Sequence, residues 1–428
     1  MLARFAGSRL PIRPRHFRGL CFFDPRDEKF DVKYCKPSTQ LAQAGCKVDA
    51  ETGALTPPIH FATTFERDKD LSYEKGYVYS RVDNPTRHLF EETIAQVENG
   101  QAAAAFASGS AAATAIFQCL PRGAVLMPDD LYHGNRTILS LFKMWGLHVE
   151  TVDMTNLDIL RERISFAKEI VENPEAIVVW TESPSNPLLK ITDLHQVSML
   201  CSEFGAIHVT DATWVTPALC RPLDLGCDIV LHSTTKYLGG HSDVLGGVVV
   251  CGKSKRASRL FLKIRDVQAT CGAVASPFDC WLTLRGMRSL AARMKLHSSN
   301  ALAVATFLEN HPMVENVYYP GLPNSEGHET ATKQMSNSGY GGMISFTLTG
   351  GESIAIGVVA STNVFKRATS LGGTESLIEH RASVEDLNTK TPKNLLRISI
   401  GLEDKDDLIQ DLSDAMSGAE AFVAENNI

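Results

Sequence analysis

Between residues 233 and 243 the chain reads Ser233-Thr234-Thr235-Lys236-Tyr237-Leu238-Gly239-Gly240-His241-Ser242-Asp243, which sets hydroxyls, a lone lysine and a glycine-rich turn in one short stretch. A lysine amine can condense with an aldehyde, and flanking hydroxyls such as those of Ser233 and Thr235 can hold an anionic group carried by that aldehyde. The run before it, Asp228 to His232, is apolar and β-branched, which predicts a buried strand that ends just ahead of Lys236. Ligands of α/β proteins gather at such strand ends. Taken alone, the segment also admits a plainer reading, a surface lysine before a glycine turn.

Two further sites extend the chemistry. Ser108-Gly109-Ser110 follows an apolar run and opens a helical one, so the backbone amides of Gly109 and Ser110 would face outward at a positive helix end, a place for phosphate. Asp211 closes the strand-like run Ile207-His208-Val209-Thr210, where a buried carboxylate can keep a pyridine nitrogen protonated. An ordinary cap is the simpler role for either. A phosphorylated pyridine aldehyde, pyridoxal 5'-phosphate (PLP), satisfies all three sites together.

The elements that must position these groups alternate. Strand-like runs recur at Ala103 to Phe106, Ala124 to Met127, Ile177 to Trp180, Ile207 to Val209, Asp228 to His232 and Gly247 to Val250, with helix-length segments such as Asp193 to Phe204 between them. That alternation predicts a mostly parallel sheet covered by helices. A helical pattern from Leu89 stops at Asn99-Gly100. Beyond Gly286 the pattern shifts to long helices, a strand at Met343 to Leu348, another at Leu395 to Ile400, and an amphipathic helix from Asp404 to Phe422. The expected organisation is a targeting segment over 1–23, an arm over 24–87, a large cofactor-binding domain over 88–286 and a small α+β domain over 287–428.

Composition narrows the function classes. A net charge of −7 gives no basic surface for nucleic acid, and no apolar run reaches the length of a membrane span. Ten cysteines are scattered without a close CxxC pair, so neither a metal site nor a disulfide framework is signalled. Residues 1–23 hold Arg4, Arg9, Arg13, Arg15 and Arg18 and no acid before Asp24, which predicts a mitochondrial transit segment; without it the protein is expected in the cytoplasm.

The lysine segment resembles that of the cysteine and methionine metabolism family of PLP enzymes, and separated motifs follow in that family's order from about Ser38 to about Glu403. The resemblance implies the PLP-dependent transferase fold of type I, α/β, with a large mostly parallel-sheet domain and a small C-terminal α+β domain. It implies Lys236 as the Schiff-base lysine and Tyr132, in Asp129-Asp130-Leu131-Tyr132-His133-Gly134, as the aromatic residue that stacks on the ring. Gly109, Ser110, Ser233 and Thr235 would then hold phosphate, and Asp211 and Thr213, in Asp211-Ala212-Thr213-Trp214, the ring. Asn186, in Glu182-Ser183-Pro184-Ser185-Asn186-Pro187, would touch both ring and substrate. Tyr79 and Arg81 of the arm would reach the phosphate of a neighbouring subunit, implying a homo-oligomer, a tetramer of two dimers that share active sites. Arg397 would bind the substrate α-carboxylate, with Ser370 and Glu375 beside it.

The implied activity is PLP-dependent trans-sulfuration, of cystathionine γ-lyase or γ-synthase type, on a sulfur amino acid or homoserine ester. The alternatives are an O-acyl-homoserine sulfhydrylase or a cystathionine β-lyase, with a non-catalytic scaffold last. Glu375 favours γ chemistry, whereas Val78, at a position usually acidic in cystathionine-using γ enzymes, resembles sulfhydrylases. None of His133, Gly134 and Asn135 is the cysteine of methionine γ-lyases. Arg381 departs from the common His-Pro-Ala pattern and places a charge near the expected substrate entrance.

Overall fold

The computed structural model describes residues 32–335, 338–385 and 391–426, so the expected targeting segment lies outside the described residues. Strands buried on both faces read as continuous apolar runs rather than as alternations. Along β1 (Ala102–Phe106), for example, Ala103 and Ala105 enter one apolar cluster while Ala104 and Phe106 enter another. The larger sheet continues with β2 (Ala124–Pro128), β3 (His148–Val152), β4 (Ile177–Glu182), β5 (Ile207–Asp211), β6 (Ile229–Ser233) and β7 (Gly247–Cys251). Its order is β1-β7-β6-β5-β4-β2-β3. Only β7 runs antiparallel to its neighbours, so β4, β5 and β6 all end on the same edge. Each expected run falls on one of these strands, with Asp228 alone lying just outside, one residue ahead of β6. The unexpected strand is β3, whose edge position leaves it mostly half-exposed and therefore without an apolar signature.

The smaller sheet holds β8 (Val314–Tyr318), β9 (Met343–Leu348), β10 (Lys366–Arg367), β11 (Leu377–His380) and β12 (Leu395–Ser399) in the order β10-β11-β12-β9-β8. A helix of 33 residues, Pro277–Glu309, serves both layers. Ser276 caps it by accepting from the Asp279 amide. Its Leu284, Met287, Leu290 and Met294 pack on the large sheet, and its Ala301, Val304, Ala305 and Leu308 pack on the small one. The helix runs through residues 286 and 287 unbroken, so one element fixes how the two sheets face each other. Among the described residues no helix is long and apolar enough to cross a membrane.

Candidate active site

A cavity of about 370 Å³ opens where β4, β5 and β6 end. Lys236 lies on the turn after β6, and its Nζ donates to Ser370 Oγ at 2.6 Å. Burial, with the Arg397 charge assisting and Glu379 opposing, lowers the lysine from 10.5 to about 8. An amine near 8 supplies far more free base at neutral to mildly alkaline pH than an ordinary lysine does, and becomes mostly free base above about pH 8.

Two acids stand next to each other at the strand ends. Glu182 and Asp211 are register partners across β4 and β5, and both line the cavity. Burial pushes Glu182 well above the ordinary carboxylate range, with the Asp211 charge adding to it. Asp211 is also raised by burial, but the Thr213 hydroxyl and amide oppose the rise, and that amide donates to its Oδ1 at 3.0 Å. Burial disfavours the charge on both acids, and the Thr213 bonds make Asp211 the better placed of the two to carry it. Thr213 Oγ1 also accepts from the Ser233 amide at 2.9 Å, which ties the end of β6 to the end of β5.

The anion end is built by backbone. Ser108 caps the helix Gly109–Gln118 by accepting from the Ala111 amide, leaving the amides of Gly109 and Ser110 with no carbonyl one turn back. A Cβ on Gly109 would crowd Ser233 Cβ at 3.0 Å and its Oγ at 3.1 Å, so glycine keeps this cradle open without moving Ser233. Ser108, Gly109, Ser110, Ser233 and Thr235 all line the cavity. The Thr235 hydroxyl is already engaged with Gly246, donating to its carbonyl at 3.3 Å and accepting from its amide at 3.1 Å.

The opposite wall is basic. Arg397, on β12, is buried; its Nη1 donates to Asn186 Oδ1 at 2.8 Å and its Nη2 pairs with Glu379 at 2.5 Å. Trp214 lies under the guanidinium, 5.9 Å from ring centroid to Cζ. Asn186 is held by its loop: Ser185 donates to Asp130, the Leu188 amide donates to the same carboxylate, and Ser345 donates to the Pro187 carbonyl. Tyr132 begins the helix His133–Met144, and its amide donates to Glu182 Oε2 at 3.0 Å. A Cβ on Gly134 would meet the Tyr132 ring at 2.3 Å, so glycine there lets the ring sit close to the backbone.

Of the residues singled out in the sequence, Gly109, Ser110, Tyr132, Asn186, Asp211, Thr213, Ser233, Thr235, Lys236, Ser370 and Arg397 line this one cavity. Tyr79, Arg81 and Glu375 are not among its described lining residues. Arg81 donates to the Ala269 carbonyl and stacks over Tyr79, at 5.7 Å. Glu375 accepts from Ser242. Arg381 does line the cavity, but as a buried group paired with Glu379 and Glu385 rather than as a charge at an open entrance. Glu182 and Trp214 are lining residues whose contributions the sequence did not single out; Glu182 ends the apolar run from Ile177 as Asp211 ends the run from Ile207, and that was the available signal for Glu182.

A depressed lysine, a strand-end acid and a helix-start anion cradle around one cavity define a Schiff-base enzyme of the PLP class. The chain belongs to the Cys/Met metabolism PLP-dependent enzyme family, which it matches over residues 38–417. It is 41% identical over 388 residues to the cystathionine gamma-synthase of Mycobacterium tuberculosis, covering 89% of this chain and 96% of that one. It is 40% identical over 391 residues to the cystathionine gamma-lyase of Dictyostelium discoideum, covering 89% and 97%. The crystal structure of the Xanthomonas oryzae pv. oryzae cystathionine gamma synthase in complex with cystathionine is similar with a TM-score of 0.83, at 39% identity, covering 91% and 99%.

Proposed function

We propose that the protein is a trans-sulfuration enzyme of the cystathionine γ-lyase or γ-synthase type, acting on a sulfur amino acid or homoserine ester. The observation that carries this reading is the placing of Lys236, Asp211 and Arg397 around one cavity, with Asn186 joined to Arg397. When bound, PLP supplies an aldehyde for amine exchange and a ring that takes up the electron pair released at Cα. Gly109, Ser110 and Ser233 would hold its phosphate, and Asp211 its ring nitrogen. Arg397 and Asn186 would fix the substrate carboxylate, and that anchorage would point Cα–H toward Lys236 Nζ. Lys236, lowered by burial and held within the cavity by Ser370 Oγ, would serve as the base for that proton. Tyr132 would cover the ring face. Relatives at 40–41% identity are named cystathionine gamma-synthase, gamma-lyase and beta-lyase, so their names support cystathionine chemistry, and Glu375 is what favours the γ form.

Addition of cystathionine to the purified protein tests the reading. The γ-lyase form predicts cysteine and 2-oxobutanoate, and the γ-synthase form predicts cystathionine from an acyl-homoserine and cysteine. Pyruvate from cystathionine would move the assignment to β-cleavage, cysteine rejected in favour of sulfide to a sulfhydrylase, and no product from any of these to a non-catalytic scaffold.

We further propose a homo-oligomer, a tetramer of two dimers in which Tyr79 and Arg81 serve a neighbouring cavity. In support, both lie outside the lining of their own, and Tyr79 is 42% exposed. Mixing inactive Lys236→Ala with inactive Arg81→Ala should restore activity if cavities are shared. The domain division at 87/88 and 286/287 stands as a proposal, to be tested by limited proteolysis. So does mitochondrial import directed by residues 1–23, which a fluorescent fusion of that segment would test.

A further inference from the structure

Arg381 lines the cavity, yet both Nε and Nη1 of its guanidinium are committed to carboxylates. Nε donates to Glu385 Oε1 at 2.9 Å, and Nη1 donates to Glu379 Oε1 at 3.2 Å. That Glu379 oxygen is the one Arg397 Nη2 reaches at 2.5 Å. Glu379 and Arg397 are partners across β11 and β12, so the carboxylate stays beside Arg397 as long as the sheet keeps its register. Its other oxygen, Oε2, is buried and has no hydrogen-bond partner among the described residues.

An internal carboxylate bonded to Arg397 competes with any ligand carboxylate for the same guanidinium, and in a buried setting the repulsion between the two anions is strong. Arg381 changes the balance. With it, the cluster holds two guanidiniums, Arg381 and Arg397, against two carboxylates, Glu379 and Glu385. Without it, an incoming carboxylate would meet one guanidinium and two anions, Glu379 buried and Glu385 partly so. The same tension acts on Arg397 itself, which burial holds down to about 10 while Glu379 opposes the fall and Arg381 adds to it.

We propose that Arg381 is a positioning residue for carboxylate recognition: by sharing Glu379 it draws that anion's charge away from Arg397 and leaves Arg397 free to bind the substrate carboxylate. The inference rests on the reading that Arg397 binds that carboxylate, and the test separates the two. L-alanine and ethylamine are titrated into the PLP-loaded enzyme and followed by the cofactor's absorbance; they differ by the carboxylate, and neither undergoes sulfur chemistry. Wild-type preference for alanine tests the reading, and loss of that preference would overturn it together with the proposal. Given that preference, Arg381→Gln should weaken alanine on the order of tenfold or more, in line with close buried charge coupling, and leave ethylamine within about twofold. Glu379→Gln/Arg381→Gln should return alanine affinity to within about threefold of wild type, because the cluster is again balanced. Unchanged alanine binding in Arg381→Gln, equal losses of alanine and ethylamine, or no recovery in the double variant would overturn the proposal. If Arg381→Gln does not fold, Glu379→Gln alone decides, since its amide oxygen still orients Arg397 without the charge. It must tighten alanine binding, and unchanged or weaker binding would overturn the proposal.

Discussion

Lys236 Nζ is bonded at 2.6 Å to the hydroxyl of Ser370, a residue whose backbone sits at φ +97°. A side chain at that φ is strained, so the small-sheet segment carrying Ser370 is held in place by its surroundings. The Gly372 amide donating to Ser399 Oγ at 3.0 Å is one such tie. Ser370→Ala and Ser370→Gly should therefore separate two effects. Both lose the hydroxyl and should lower kcat/KM by about ten- to a hundredfold, the scale of a hydrogen bond to a charged group. Only the glycine variant relieves the strain, and it should exceed the alanine variant in stability by about 1 kcal/mol in denaturant titration. Equal stabilities would remove the strain argument.

The lowered lysine makes stability depend on pH in the cofactor-free protein. Lys236 titrates near 8 when folded against an ordinary 10.5, so below about pH 8 folding carries the full penalty of burying an ammonium. Between about 8 and 10.5 the unfolded chain binds more protons than the folded one, and stability rises with pH; above 10.5 the penalty is gone. Relative to Lys236→Met, the wild-type unfolding free energy should rise by about 3 kcal/mol across that window. A flat difference would mean that the folded lysine is not depressed.

Much of this arrangement is legible in the sequence because it depends on strand ends. The apolar runs before Lys236 and Asp211 are long enough to predict β6 and β5, and a polar residue just past such a run has to emerge at the sheet edge. Less legible is what depends on partners distant in sequence. The Glu182–Asp211 pairing is a matter of strand register, and the burial of Arg381 depends on Glu379 and Glu385 being turned inward with it. Glu375 shows the reverse: its motif points to the substrate, while its side chain is bonded to Ser242 on the lysine turn.

The two acids of the site should respond oppositely to amide substitution. Burial and the neighbouring Asp211 both disfavour a charge on Glu182, so Glu182→Gln should keep activity within about threefold. Asp211→Asn removes the anion expected at the pyridine nitrogen and should lower kcat/KM by about a hundredfold and speed PLP loss on dialysis. Rate and retention measured on both variants decide the assignment, and a larger loss in Glu182→Gln would reverse it.

Helix Pro277–Glu309 meets the lysine turn backbone to backbone at a residue that has no side chain. A Cβ on Gly286 would lie 2.3 Å from the Gly239 carbonyl oxygen and 2.4 Å from that of Leu238, both on the turn that follows Lys236. Backbone cannot step aside as the end of a side chain can, so helix and turn must part. Gly286→Ala should cost about 1–3 kcal/mol of stability and loosen the lysine turn, read as faster PLP release. Gly418, in the helix Lys405–Asn426, is the control: a Cβ there meets nothing within 4 Å. Gly418→Ala should stabilise by about 0.5–1 kcal/mol through helix propensity and leave PLP release unchanged. If both substitutions stabilise alike, the helix does not rest on the turn, and some other contact sets the place of Lys236.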